Sequence, residues 1–109
     1  MPKTLHLTLT YHWWDKISSG EKKAEYRLFT ANWRKRLVDV RPGDLVVFHR
    51  GYTSRTLTRR IEQIRVISCW DLPNEVYQFF GCPNESHFFE IALDNVVNCA
   101  IILLPTSSA

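Results

Sequence analysis

The sequence predicts an α+β protein that is mainly β, in which about six strands form a barrel with two or three short helices between them. First, a chain of 109 residues fits one domain with one core. Second, a hydrophobic content of 45%, with 13% aromatic residues, can form that core without metal or disulfide support. Third, short alternating segments recur between frequent turn residues, which favours a barrel over a parallel sheet. The core is expected to include Trp13, Trp14, Phe79 and Phe80.

The first third of the chain predicts two strands around a short helix. Residues 5–9 alternate leucine with histidine and threonine, which indicates a half-buried strand. Residues 12–19 place tryptophan and isoleucine at helical spacing, and Gly20 follows where a left-handed residue commonly ends a helix. The alternation then resumes over residues 22–28, which predicts that a strand starts directly after the helix.

The middle of the chain predicts a helix, a turn and a strand. Thr30 is a suitable N-cap for a short helix that carries Trp33 and Leu37. Residues 41–44, Arg-Pro-Gly-Asp, place proline and glycine at the central positions of a type II turn. We therefore expect a strand over residues 45–50.

The last third predicts further strands and one helix. Residues 56–63 and 64–68 are β-compatible and form either two strands or one bent strand. Proline opens a short helix over residues 73–80. Residues 87–93 and 96–103 predict a closing hairpin.

The charges are unevenly distributed along the chain. Residues 1–65 contain all fourteen Lys and Arg residues and six of the eleven acidic residues. Residues 66–109 contain the other five acidic residues and no Lys or Arg. The overall formal charge is +3. This asymmetry favours a basic face that binds a polyanion, although a solvated face of a domain whose halves interleave fits the same numbers.

The cysteines and apolar runs exclude several classes of protein. Cys69, Cys82 and Cys99 are widely spaced and pair with no histidine at zinc spacing, so we predict small buried residues and neither a metal nor another cofactor. The odd count and the absence of a signal-like start favour the cytoplasm. The longest apolar run, residues 99–104, is too short for a bilayer. Residues 105–109 are expected to be a disordered tail, and the oligomeric state stays open, with a monomer as one option.

The octad Gly20–Arg27 fits the pattern G-x-K-x-x-E-x-R. Glu25 and Arg27 are two residues apart on a predicted strand, so their side chains share one face, with Lys22 at its entrance. A carboxylate between two cations orients both, and Lys with Arg forms an anion-binding pair. A Lys beside another cation can also serve as a base or nucleophile. A surface strand with ordinary ion pairs fits the spacing equally well.

The octad and its surroundings resemble ASCH domains of the PUA-like superfamily. Residues 7–28 resemble the opening strand, helix and signature of these domains. Residues 32–37, 48–54 and 88–93 resemble stretches of a small phage and bacterial branch, in the same order, and the resemblance covers about residues 5–97. It implies one ASCH domain over residues 1–109, with a PUA-like barrel and a signature-lined cleft that binds RNA or a modified nucleotide or nucleoside.

The resemblance also implies that some members of the family are enzymes. Certain bacterial members are amidohydrolases that remove the acyl group from acetylated cytidine by means of a Lys, a Thr and a later Glu, and others are reported as ribonucleases of single-stranded RNA. The resemblance maps that Lys onto Lys22 and leaves the signature Arg27 intact. The Thr position is Glu25, which cannot supply the same nucleophile, and Glu75 is the best-placed candidate for the later Glu.

Two functions therefore follow from the sequence. The first is an RNA- or nucleotide-binding domain with a basic, aromatic-lined cleft, whose candidate ligand-binding residues are Lys22, Tyr26, Arg27, Trp33, Lys35, Arg36, His49, Arg50, Tyr52 and Arg55. The alternative is a hydrolase, either a ribonuclease or an amidohydrolase, with Lys22 and Glu25 as the acid/base pair and Arg27 as a third catalytic residue. Whether the protein is an enzyme stays open at this point.

Overall fold

The structure is a computed structural model that describes residues 3–94. Within this part of the chain it contains five strands, three α-helices and two 3-10 turns. In chain order these elements are β1 (Thr4–Leu9), α1 (Tyr11–Ser18), β2 (Ala24–Leu28), α2 (Ala31–Leu37), β3 (Leu45–Arg50), β4 (Thr56–Ser68), the turn Cys69–Asp71, α3 (Asn74–Phe80), the turn Pro83–Glu85 and β5 (His87–Leu93). No helix in this part of the chain is both long and apolar enough to cross a membrane.

The five strands form one sheet in the order β1-β3-β4-β5-β2. β1 pairs with β3 in parallel, and the other neighbours are antiparallel. β4 is the bent strand that the sequence allowed: its register shifts between Ile61 and Gln63, where one extra residue bends the strand. The sheet is therefore a curled half-barrel with β1 and β2 as its edges, and the predicted α+β, mainly β class is confirmed.

The strand predicted over residues 87–93 is confirmed as β5, but its pairing in a closing hairpin is wrong. β5 pairs with β4 over His87–Leu93 and with β2 over residues 88–92, so both of its edges are occupied. A hairpin partner would need one of those edges. The other half of that prediction, residues 96–103, and the predicted tail, residues 105–109, lie outside the described residues.

Two hydrophobic clusters cover opposite faces of β5. The first fills the concave side of the half-barrel and includes Trp14 and Ile17 of α1 and Phe48 of β3. The second lies beneath α3 and includes Tyr26 and Phe88. Burying one such side chain contributes about 1.5–3 kcal/mol, so β5 is held firmly on both faces.

The expected aromatic core is confirmed only in part. Trp14 is 4% exposed, and its indole nitrogen donates to the carbonyl oxygen of Phe48 at 2.9 Å. Trp13 is half-buried between the two clusters. Phe79 and Phe80 are 61% and 38% exposed, so their assignment to the core is wrong. Both lie in the last turn of α3, a helix of seven residues.

The predicted caps and turns are present. The Thr30 hydroxyl accepts a hydrogen bond from the Trp33 backbone N–H at 3.2 Å and begins α2. The turn over residues 41–44 closes through a hydrogen bond from the Asp44 N–H to the Arg41 carbonyl oxygen at 3.0 Å, with Gly43 at φ +96°. Gly20, at φ +86°, follows the end of α1 as expected.

Cys69 and Cys82 are joined, which sequence spacing did not predict. Their sulfur atoms are bonded and their Cα atoms are 5.3 Å apart, a separation that suits a disulfide. Cys69 is fully buried in the second cluster, as expected of a small apolar residue. The bridge closes a loop that contains α3. The third cysteine, Cys99, lies outside the described residues.

Gly51 is the glycine with the tightest surroundings. It has φ +56°, and an added Cβ would lie 2.8 Å from Cε1 of Tyr11. We expect Gly51→Ala to lower the free energy of unfolding by about 1–3 kcal/mol through this contact, in addition to about 1 kcal/mol of backbone strain. Urea denaturation in wild-type and Tyr11→Ala backgrounds measures the two parts separately. An equal loss in both backgrounds would show that the contact does not matter.

Candidate functional site

The candidate site lies where the two edges of the half-barrel approach each other. A cleft of 300 Å³, here called the seam cleft, is lined by the end of β1, by residues 25–28 of β2 and by side chains from all three α-helices. Its charged side chains are Lys22, Glu25 and Arg27, and its aromatic side chains are Trp13, Tyr26, Trp33, Phe79 and Phe80. The predicted signature residues therefore line one cleft.

Glu25 is the centre of the charged cluster. Its Oε1 accepts a hydrogen bond from Lys22 Nζ at 2.7 Å, and its Oε2 pairs with Nη2 of Arg27 at 2.8 Å. The residue is only 4% exposed. A buried carboxylate with one cation on each oxygen fixes the positions of both cations, as the spacing predicted.

Arg27 connects the two edge strands, β2 and β1. Its Nη2 reaches the carbonyl oxygen of Thr8, on the opposite edge strand, at 3.4 Å. Its guanidinium lies over the ring of Trp33 at 4.8 Å, and that of Arg36 lies 4.3 Å from the same ring. The Nε–H of Arg27 has no acceptor among the described residues. That atom is buried, so a ligand in the cleft would meet the guanidinium through its Nη groups.

The backbone before β2 directs Lys22 into the cleft. The strand begins at Ala24 and not at residue 22, so the prediction that it starts directly after the helix is wrong. Instead the Lys22 N–H donates to the Lys16 carbonyl oxygen at 3.0 Å, which ties this segment to α1. Lys22 Nζ then lies 4.6 Å from the centre of the Trp13 ring. Lys23 does not line the seam cleft and instead lines a second cleft.

The aromatic rim is the part of the site that the sequence did not identify. Phe79 lies edge-on to Trp13, with ring centres 5.6 Å apart, and Phe80 lies edge-on to Phe79 at 4.9 Å. Both line the seam cleft and both are exposed. Exposed aromatic rings beside cations can stack on an unpaired base. The only sequence feature that pointed to this rim was the pair Phe79-Phe80 at the end of a short helix. Such a pair is equally typical of residues in a hydrophobic core.

A second cleft, of 490 Å³ and here called the side cleft, lies on the other side of Lys22. Glu75 lines it and is bound by His12 Nε2 at 3.1 Å and Lys16 Nζ at 3.4 Å, not by Lys22. The hydrogen bond from His12 holds the pKa of the Glu75 carboxyl below its usual value. The structure thus separates this candidate for the later Glu from the pair of Lys22 and Glu25.

Tyr26 separates the two clefts at the level of the sheet. Its side chain is buried, and its hydroxyl donates to Oε2 of Glu90 at 3.0 Å. Burial, together with this hydrogen bond, raises the pKa of the Tyr26 phenol. Tyr26 therefore presents a neutral ring edge to a ligand in either cleft.

The predicted loop residues lie apart from both clefts. Arg50 forms a two-pronged ion pair with Asp15, at 2.9 and 3.1 Å, and covers the Tyr11 ring at 4.1 Å. The hydrogen bond from Arg50 lowers the pKa of the Asp15 carboxyl. Arg55 lies over Trp14 at 4.9 Å, and Tyr52 is fully exposed. None of the three loop residues is among the side chains that line the seam or side cleft.

Three further candidates also lie elsewhere. His49 contacts His6 across β1 and β3, with ring nitrogens 3.0 Å apart, and lines neither cleft. Lys35 and Arg36 line a separate groove of 200 Å³ beside Lys3. Within residues 3–94 there is no group of three or more His, Cys, Asp or Glu side chains arranged to hold a metal ion.

Comparisons with known proteins give matches at the level of structure. No family model matches the chain, and neither does any curated protein. The hypothetical protein PH0355 superposes with a TM-score of 0.56 at 19% identity, covering 84% of this chain and 97% of that one. A variant of ZmASCH from Zymomonas mobilis gives a TM-score of 0.62 at 13% identity, covering 86% of this chain and 70% of that one. A second ZmASCH variant gives 0.61, also at 13% identity, covering 84% and 68%. At these identities the likeness concerns the fold.

Proposed function

Because the chain has the ASCH fold, we propose that it binds single-stranded RNA or a nucleotide in the seam cleft. One observation carries the proposal: a buried glutamate, Glu25, holds Lys22 and Arg27 side by side in a cleft with aromatic walls. Cations beside aromatic rings suit a ligand with a phosphate and an unpaired base. That the protein acts in the cytoplasm, and that residues 1–109 form one domain, stay predictions.

The chemistry of each side of the cleft supports this ligand class. Lys22 and Arg27 both line the cleft, and a phosphate oxygen is a suitable acceptor for the N–H groups of two such cations. Phe79 is exposed enough to stack on a base, which contributes about 1–3 kcal/mol, and the half-buried Trp13 ring lies edge-on beside it. A duplex would bury its base faces within its own stack, so a single strand fits these walls better.

The salt dependence of binding tests the proposal. We expect the affinity for a fluorescein-labelled single-stranded decamer to fall about sevenfold between 50 and 200 mM KCl, because two phosphate contacts on a single strand give a logarithmic slope of about −1.4. Fluorescence anisotropy measures this fall. The same sequence annealed to its complement serves as the control and should bind more weakly. An affinity that does not change with salt would contradict the proposal.

A hydrolase remains a second candidate because Lys22 and Glu25 are in direct contact. Their side chains are 12% and 6% exposed, and the 2.7 Å separation of Nζ and Oε1 suits proton transfer. The substrate would be a phosphodiester of single-stranded RNA or the exocyclic amide of acetylated cytidine, and Arg27 would stabilise the developing negative charge.

Product analysis separates the enzyme from the binding protein. Purified protein is incubated with RNA oligonucleotides and with acetylated cytidine, and the products are analysed by gel electrophoresis and mass spectrometry. If the hydrolase candidate is right, Lys22→Ala lowers turnover at least about 100-fold, which is the size expected for a general acid or base. Turnover equal to that of Lys22→Ala would exclude this candidate for both substrates.

A further inference from the structure

We propose that the side cleft binds the nucleotide next to the one in the seam cleft, so that the two clefts together recognise a dinucleotide step of RNA. This inference rests on the proposed function and narrows its ligand from a nucleoside or mononucleotide to an oligonucleotide. The phosphodiester that joins the two nucleotides would lie at Lys22 and Lys23, between the clefts.

The two clefts share a wall. Trp13, Lys22, Tyr26 and Val76 line both of them. Lys22 Nζ lies 4.6 Å from the centre of the Trp13 ring and 5.9 Å from that of Tyr26. One cation therefore borders both spaces, and a phosphate beside it is within reach of a nucleoside on either side.

The charges that line the side cleft balance, with three lysines against three glutamates. Its three carboxylates all have partners: Glu21 pairs with Lys16, Glu75 with His12 and Lys16, and Glu90 with Tyr26 and Arg65. Lys23 is exposed and makes no side-chain hydrogen bond or ion pair within residues 3–94. Its charge is thus available to a ligand in the side cleft. Lys23 directly follows Lys22, which lines both clefts.

The volumes of the two clefts agree with a ligand that places one nucleoside in each cleft. Volumes of about 300–1,000 Å³ are typical of small-molecule sites. The seam cleft, at 300 Å³, is at the lower end of that range, whereas the side cleft, at 490 Å³, is well within it. A ligand confined to the signature residues would leave the larger cleft empty, and a dinucleotide would use both.

Isothermal titration with the four 5′-mononucleotides and the four homodinucleotides tests the inference. We expect the best dinucleotide to bind the wild-type protein at least about tenfold more tightly than the best mononucleotide, in line with one added stacked base. Ala92→Phe fills only the side cleft, because Ala92 does not line the seam cleft. It should remove the tenfold gain and leave mononucleotide affinity unchanged.

Two further variants keep the result interpretable. Lys23→Ala removes a side-cleft charge without adding bulk, and it should weaken the dinucleotide about threefold and the mononucleotide less. Thr56→Phe introduces the same side chain as Ala92→Phe on an exposed part of β4 that lines neither cleft, and it should change neither affinity.

The outcomes distinguish the inference from the proposed function. Equal affinity of the wild-type protein for mononucleotides and dinucleotides would overturn the inference and leave binding at the seam cleft intact. A dinucleotide gain that survives in both Ala92→Phe and Lys23→Ala would overturn it as well. Failure of every nucleotide to bind would overturn the proposed function and the inference together.

Discussion

Replacing Glu25 by Gln is expected to lower the free energy of unfolding by about 3 kcal/mol, because it leaves two cations without their shared carboxylate. Glu25 is 4% exposed, and both of its oxygens are paired, one with Lys22 and one with Arg27. The Gln amide oxygen can accept from one cation, but its NH₂ group then faces the other. Urea denaturation of the two proteins measures the difference.

A matched control and a rescue variant identify the cause of that loss. Glu62→Gln removes the same charge from an exposed position of β4 and should change stability by less than about 0.5 kcal/mol. Lys22→Met in the Glu25→Gln background removes one of the two unpaired cations and should restore part of the lost stability. If Glu25→Gln were as stable as Glu62→Gln, the buried charge cluster would not be an important part of the fold.

The double variant Lys22→Ala/Arg27→Ala is expected to bind single-stranded RNA at least about 100-fold more weakly than the wild-type protein. Each lost charge-assisted phosphate contact accounts for about 1.5–3 kcal/mol. Anisotropy at 50 mM KCl measures the loss. Both side chains are largely removed from solvent, 12% and 20% exposed, so the folded state is checked by circular dichroism.

The control for this variant removes the same charge elsewhere. Arg34 and Arg60 are exposed and line neither cleft, so Arg34→Ala/Arg60→Ala lowers the net charge equally without touching the site. Its affinity should fall less than about threefold, through the long-range field alone. Equal losses in the two double variants would mean that RNA binds by general charge and not in the seam cleft.

Local patterns predicted the parts of the site that are close in sequence. Alternation along β2 placed Glu25 and Arg27 on one face, because the side-chain period of a strand is two residues. The left-handed Gly20 and the cap at Thr30 followed from local backbone chemistry. These features depend on a few neighbouring residues, so they could be predicted from the sequence alone.

The rest of the site depends on contacts between distant residues. Arg50 was expected at the cleft, but its pairing with Asp15, 35 positions away, places it on the outside of α1. Phe79 and Phe80 resembled core residues, yet both line the open seam cleft and stay exposed. The bond between Cys69 and Cys82 depends on how the turn after β4 meets the end of α3. The composition of the chain and the spacing of its apolar residues do not predict such contacts between distant residues.

Glu25 bears on both candidate functions. In the amidohydrolases that the signature resembles, the corresponding position carries the nucleophilic Thr. Here the side chain is a carboxylate that is 4% exposed and holds one cation on each oxygen, so little of it is accessible to a substrate. This arrangement suits the positioning of cations better than nucleophilic attack, and it is the physical reason for preferring the binding function.

A crystal structure with a bound single-stranded RNA oligonucleotide tests the central claim most directly. The account predicts a phosphate within hydrogen-bonding distance of Lys22 Nζ or the guanidinium of Arg27, and a base stacked against Trp13 or Phe79. RNA bound at Arg50 and Arg55, or along the outer face of β4, with the seam cleft empty of RNA, would contradict it.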